Sequence, residues 1–194
     1  MDLANVRKRF LDRNMKYACS FDPRLWFTTD SMTRTPTGDR VIVVPRSAPR
    51  GHTRVGEFFH VHDETSVAGV DDRRHNCPIG TIEHIDESVV FFHDDPHVGT
   101  IEGRLLLKTN DKAAIEVSYA GTLRFRVSAA ASLKLDRPLE ASAWIIPVFS
   151  TTDTRYQWLC SHACVAFGTW VASKDAEASR GHNVDTNLDV YSNG

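Results

Sequence analysis

From residue 101 to 127 apolar and polar side chains alternate with a period of two, the repeat of a strand with one buried face. The segments "IEGRLLLKT", "AAIEVSYAG" and "TLRFRVSA" place Ile101, Leu105, Leu107, Ile115, Val117, Tyr119, Leu123, Phe125 and Val127 on one face. Glu102, Arg104, Lys108, Glu116, Arg124 and Arg126 fall on the other. With "NDK" as a reverse turn, this predicts a three-stranded antiparallel meander, apolar inside and charged outside. "LWFTT" and "RVIVVP" before it, and "EASAWIIPVFST", "YQWLCSHACVAFGTWVAS" and "NLDVYS" after it, are further β-rich runs. Residues 2–17 differ. Leu3, Val6, Phe10 and Leu11 recur near helical spacing among Arg7, Lys8, Arg9, Arg13 and Lys16. They predict a short N-terminal helix within residues 1–20, docked on a single domain that spans 21–194. Many strands, one helix and no βα alternation make an all-β fold, and closure into an antiparallel barrel removes the exposed edges.

The middle of the chain breaks this regularity. Residues 46–100 hold seven of the nine histidines among frequent turn signals, and predict short strands near 55–62 and 88–93 joined by long loops. At 194 residues the chain suffices for one well-buried core. Its 23 basic and 25 acidic residues are interspersed, for a net charge of −2, so neither nucleic acid nor an anionic membrane is an expected partner. No apolar run reaches the roughly 18 residues of a membrane helix. The charged N-terminus does not resemble a secretory signal, and four irregularly spaced cysteines are no disulfide framework. A reducing, cytoplasmic setting is the expectation.

Three groups of residues carry candidate chemistry. In "FFHVHDE", His60 and His62 share one strand face, but Glu64 follows too closely for a cupin-type site, and no metal is expected. His60, His62 and His93, with Asp94, Asp95 and His97 nearby, are candidate acid–base groups; polar surface loops are the plainer account of the same residues. Cys160, His162 and Cys164 would share a face if extended, without a fourth ligand. On a strand the two cysteines stand about 13 Å apart, beyond disulfide reach. Tyr156 and Trp158 share a parity and, with Phe167 and Trp170, line either a solid core or a cavity at the barrel mouth. No phosphate loop, serine-hydrolase elbow or zincin helix is found.

The run "GTIEGRLLLKTNDKAAIEVSYAGTLRF", then "PVFSTTDTRYQWLCSHACVAFGTW" and "LDVYS", resembles the DUF3237 (UPF0311) family. Arg104, Thr109, Asp111, Ile115, Gly121, Phe149, Thr151, Arg155, Tyr156, Trp158, Leu159, Gly168 and Tyr191 fall on family-typical positions. The resemblance covers about residues 35–45 and 100–191. It implies a closed, calycin-like β-barrel. The family's usual Gly-rich segment ahead of the meander is replaced by "HTRVGEFFHVHDETSVAGVDDRRHNCPIG". The expected function is binding of a small aromatic or polyketide-like ligand by Arg104, Tyr119, Tyr156, Trp158 and Trp170, with cofactor-free cyclase, isomerase or dehydratase chemistry at the mouth. A weaker similarity leaves open a metal-free small subunit of a two-component hydroquinone dioxygenase, and a non-catalytic carrier is a third reading. A homodimer or a larger partner subunit fits any of these.

Overall fold

A computed structural model of the chain describes residues 15–45, 56–60, 80–134, 137–175 and 181–193. The long alternating runs become long strands: β5 Gly80–Phe92, β6 Val98–Thr109, β7 Ala114–Phe125, β8 Leu139–Ser150, β9 Cys164–Lys174 and β10 Gly181–Ser192. Ahead of them lie β1 Lys16–Thr28, β2 Thr33–Arg34, β3 Gly38–Pro45 and β4 Gly56–His60. Each strand from β5 to β10 pairs antiparallel with the next, and β10 returns to pair with β1 from Lys16↔Ser192 to Thr28↔Gly181. Between β1 and β5, β3 and β4 share one place in the wall, each pairing with both neighbours. With β2 only extending β3, the ten described strands close an eight-strand antiparallel barrel.

The inward parity of the long strands is mainly apolar. Leu25, Val41, Ile85, Leu107, Ile115, Leu123, Ile145 and Val190 are all buried, and full burial of each such side chain stabilises by about 1.5–3 kcal/mol. Two ends close differently. At one, the β6–β7 turn lies beside the segment that follows β8, which folds into a short helix at Gln157–Ser161 whose Leu159 is buried. At the other, the helix Ala129–Lys134 contributes the buried Ala129.

Several expectations are corrected by these pairings. The meander of three is a hairpin of two: Ala114–Phe125 is one strand, because alternation continues through Gly121 and Leu105, Val117 and Phe125 stay buried together. Val127, assigned to the same face, lies past the strand end and is exposed. The strand expected near 88–93 begins at Gly80. Its alternation is disguised by a bulge between Ile82 and His84, which moves the inward parity from even to odd positions. Residues 1–14 lie outside the described residues, and with them most of the predicted helix; β1 already begins at Lys16, inside the 1–20 span assigned to it.

Candidate functional site

Glu87 follows the bulge on the inward parity of β5, between Ile85 and Val89, and is 3% exposed. Across the sheet it stands opposite Gly103 of β6, and Gly103 stands opposite Tyr119 of β7. The glycine sets the geometry. A Cβ at Gly103 would run into the Tyr119 phenol; its absence lets the ring lie across β6. The Tyr119 hydroxyl therefore reaches Glu87 and donates to Oε2 at 2.6 Å. The indole Nε1–H of Trp170 donates to Oε1 at 3.2 Å. Each carboxylate oxygen thus holds one neutral donor, and no cationic side chain among the described residues compensates the charge. Burial disfavours the ionised form and pushes the carboxyl from its ordinary 4.5 to about 7, while the two hydrogen bonds pull the other way. Burial, then the neighbouring carboxylate, raises Tyr119 well above the usual phenol value.

Aromatic rings surround this centre on one side. Trp170, fully buried, lies within 6.3–6.4 Å of Phe27, Phe91 and Phe125, ring centre to ring centre. His182 of β10 also faces inward and stacks on Phe27 at 5.0 Å. Thr186 stands opposite Trp170 in the β9–β10 ladder, 1% exposed, and its hydroxyl has no hydrogen-bond partner. A buried orphan hydroxyl costs about 1–3 kcal/mol, so it marks a place where a guest with a polar group would be stabilised.

The barrel end near the Gln157–Ser161 helix is held by a polar clasp. In the β6–β7 turn, where Lys112 takes a positive φ of 70°, the Thr109 hydroxyl donates to Asp111. Arg155 Nη1 reaches Asp111 Oδ2 at 2.6 Å, and its Nε and Nη2 reach Asp153 at 2.9 and 2.6 Å. Tyr156 donates its hydroxyl to the same Asp111 carboxylate at 3.2 Å. These contacts hold Asp111 below the usual carboxylate range, chiefly through Thr109, and bring Asp153 to about 2 through Arg155. The clasp positions the helix, and through it Trp158, half-buried against the core.

The structure sorts the sequence candidates accordingly. Tyr119 and Trp170 meet in the interior, on Glu87. Tyr156 and Trp158 sit together at the barrel end, but on a turn and helix, so they share no strand face. Phe167 and Trp170 lie three residues apart on β9 and face opposite sides; Phe167 stacks on Trp144 outside the barrel. Arg104 is on the exposed outer face, away from Glu87. Glu102, beside it on that face, pairs with Arg40 at 3.3 Å. His93 is exposed after β5 and hydrogen bonded to Asp39 at 3.1 Å, so it does not join the interior group. His60 ends β4 opposite Cys19, and His62 lies outside the described residues. Cys160 is exposed on the helix and Cys164 begins β9, so the extended geometry assigned to the pair does not hold; with Cys19, both are free thiols. His162 instead donates from Nδ1 to the Trp158 carbonyl at 2.5 Å, closing the helix end. Among the described residues no three His, Cys, Asp or Glu side chains gather as a metal set, and no helix is long and apolar enough to cross a membrane.

Glu87 and Thr186 were missed by sequence reasoning. The signal for Glu87 was present: in "IDESVVFF" it shares the parity of Ile85, Val89 and Phe91, an acid on an apolar face. The clasp and the helix it holds draw on the same two motifs, "LLLKTND" and "FSTTDTRYQWL", that carry the family resemblance. The family described as "Protein of unknown function (DUF3237)" matches residues 86–191, from just before Glu87 to Tyr191 of β10. The chain belongs to the DUF3237 family. Three solved structures share its fold at 16% identity each. A protein of unknown function from Clostridium acetobutylicum has a TM-score of 0.57, over 92% of this chain and 98% of its own. A beta-barrel-like protein from Acinetobacter baumannii has 0.53, over 92% and 94%. A conserved protein of unknown function from Rhodopseudomonas palustris has 0.51, over 90% and 96%. No curated protein matches the chain. At this identity the likeness to the solved structures extends to the barrel alone, and the site rests on this chain's own residues.

Proposed function

We propose that this DUF3237 barrel binds a small, largely apolar molecule in its interior, with Glu87, Tyr119 and Trp170 as the polar centre and the Tyr156–Trp158 segment closing one end. One observation carries the reading: a buried carboxyl held by two neutral donors and no cation. A barrel needing only a core would be more stable with an aliphatic residue there, since an uncompensated buried charge opposes folding. Perturbed buried acids cluster where ligands are bound or protons moved. Should the bound molecule be transformed, Glu87 is the acid–base group, its pKa pushed up to about 7, in place of the exposed His93. Tyr119, hydrogen bonded to it, orients the carboxyl and is its proton partner. That supports cofactor-free proton-transfer chemistry of the isomerase, cyclase or dehydratase type.

The test is binding of a neutral naphthalene dye, N-phenyl-1-naphthylamine, followed by its fluorescence. The wild type is expected to bind one dye per chain. Trp158→Ala is expected to keep a cooperative melt, because the side chain is only half-buried, and to lose most of that binding. Absence of dye binding by the wild type defeats the interior site. Unfolding of the variant, or undiminished binding by it, removes Trp158 from the site.

A further inference from the structure

We propose that the interior site selects small organic cations: a protonated amine on an aromatic or aliphatic body, with the ammonium held between Glu87 and Thr186. The inference rests on the reading above and adds the ligand's charge. Three independent features of the interior converge on it.

The first is charge. The buried polar residues described are Glu87, Thr109, Ser132, His182, Thr186 and Ser192, with no lysine or arginine among them. Glu87 receives only neutral donors, one per oxygen, which leaves a lone pair on each oxygen for a further donor. A guest that brings positive charge supplies what the chain withholds. An anionic guest would set like charge against an unscreened carboxylate at low dielectric.

The second is the orphan hydroxyl. Thr186 sits across the ladder from Trp170, whose indole nitrogen is bonded to Glu87, and its oxygen is unpartnered and buried. An ammonium carries three donors and no acceptor, so it brings a donor for Glu87 and another for the Thr186 oxygen. A carboxylate or a simple ketone has no donor to offer Glu87.

The third is the aromatic lining. Tyr119 and Trp170 flank the carboxyl, and Phe27, Phe91 and Phe125 stand around Trp170. Ring faces attract cations, more strongly when water is excluded, and aromatic cages are used to recognise ammonium groups. An aliphatic lining would offer the same burial without that preference.

The experiment displaces the naphthalene dye with three compounds of similar shape: 2-phenylethylammonium, neutral propylbenzene and anionic 3-phenylpropanoate. The expected order is ammonium first, by tenfold or more over propylbenzene, with phenylpropanoate weakest. Glu87→Gln, nearly isosteric, is expected to reduce the ammonium to the level of propylbenzene. Thr186→Val is expected to weaken the ammonium several-fold and leave propylbenzene within twofold. If the dye binds but propylbenzene competes as well as the ammonium, or if Glu87→Gln keeps the ammonium preference, the cation inference is overturned while the interior site stands. If none of the compounds nor the dye binds, both fall.

Discussion

At the scale of single residues, the unusual feature is the company Glu87 keeps. Because its folded-state pKa is raised, protonation favours folding. The group's contribution is fully present below its ordinary 4.5 and is lost as pH rises through about 7. A displacement of that size corresponds to about 3 kcal/mol, at ~1.4 kcal/mol per tenfold change in the equilibrium. The wild type is therefore expected to melt lower at pH 8.5 than at pH 5.5, after the slope common to all variants is subtracted. Glu87→Gln should remove most of that difference; its amide oxygen can accept from Trp170 while its amide N–H donates to the Tyr119 hydroxyl, turned round to accept. Parallel pH–melting curves for the two proteins would mean that the carboxyl is not buried as described.

At the scale of elements, the clasp joins two pieces of chain more than 40 residues apart: the β6–β7 turn through Asp111, and the post-β8 segment through Arg155 and Tyr156. Arg155 and Asp111 are half exposed, so their ion pair adds little to global stability. Its effect is positional. The five-residue helix Gln157–Ser161 is far too short to persist alone, and Leu159 and the clasp hold it to the barrel. Arg155→Ala is expected to speed amide exchange at Leu159, bonded to the Tyr156 carbonyl, at least tenfold while leaving β6 and β7 protected. A uniform rise in exchange across the barrel would make Arg155 part of the global fold instead.

At the scale of the whole molecule, closure depends on how near adjacent strands approach. A Cβ on Gly168 would collide with the Asn187 carbonyl across the β9–β10 ladder. That is next to the seam where β10 meets β1. Gly168→Val should destabilise by roughly 1–3 kcal/mol or more in urea unfolding, by forcing the strands apart. Thr169→Val, its exposed neighbour, should stay within about 0.5 kcal/mol. Equal effects of the two would show that the seam tolerates widening.

What the sequence alone determined is the part governed by local periodicity. Period-two alternation from 101 to 125 reports which side chains share a face, and length with many strands and no βα units reports an all-β barrel. Tyr119 was legible as an inward candidate on that basis, and Trp170 as one of the aromatic residues of a core or cavity wall. What they touch was decided only by tertiary structure, because a strand pattern says nothing of what stands across the sheet. Glu87 meets Tyr119 through the gap left by Gly103, and Trp170 through closure of a barrel 83 residues later in the chain. The bulge at Ile82/His84, which turns Glu87 inward, shifts parity by one residue and so erased the alternation ahead of it. The helix at Gln157–Ser161 was hidden for a different reason. Its tryptophan is favoured in strands, and only the ion pairs of Arg155 and the burial of Leu159 select the helical turn.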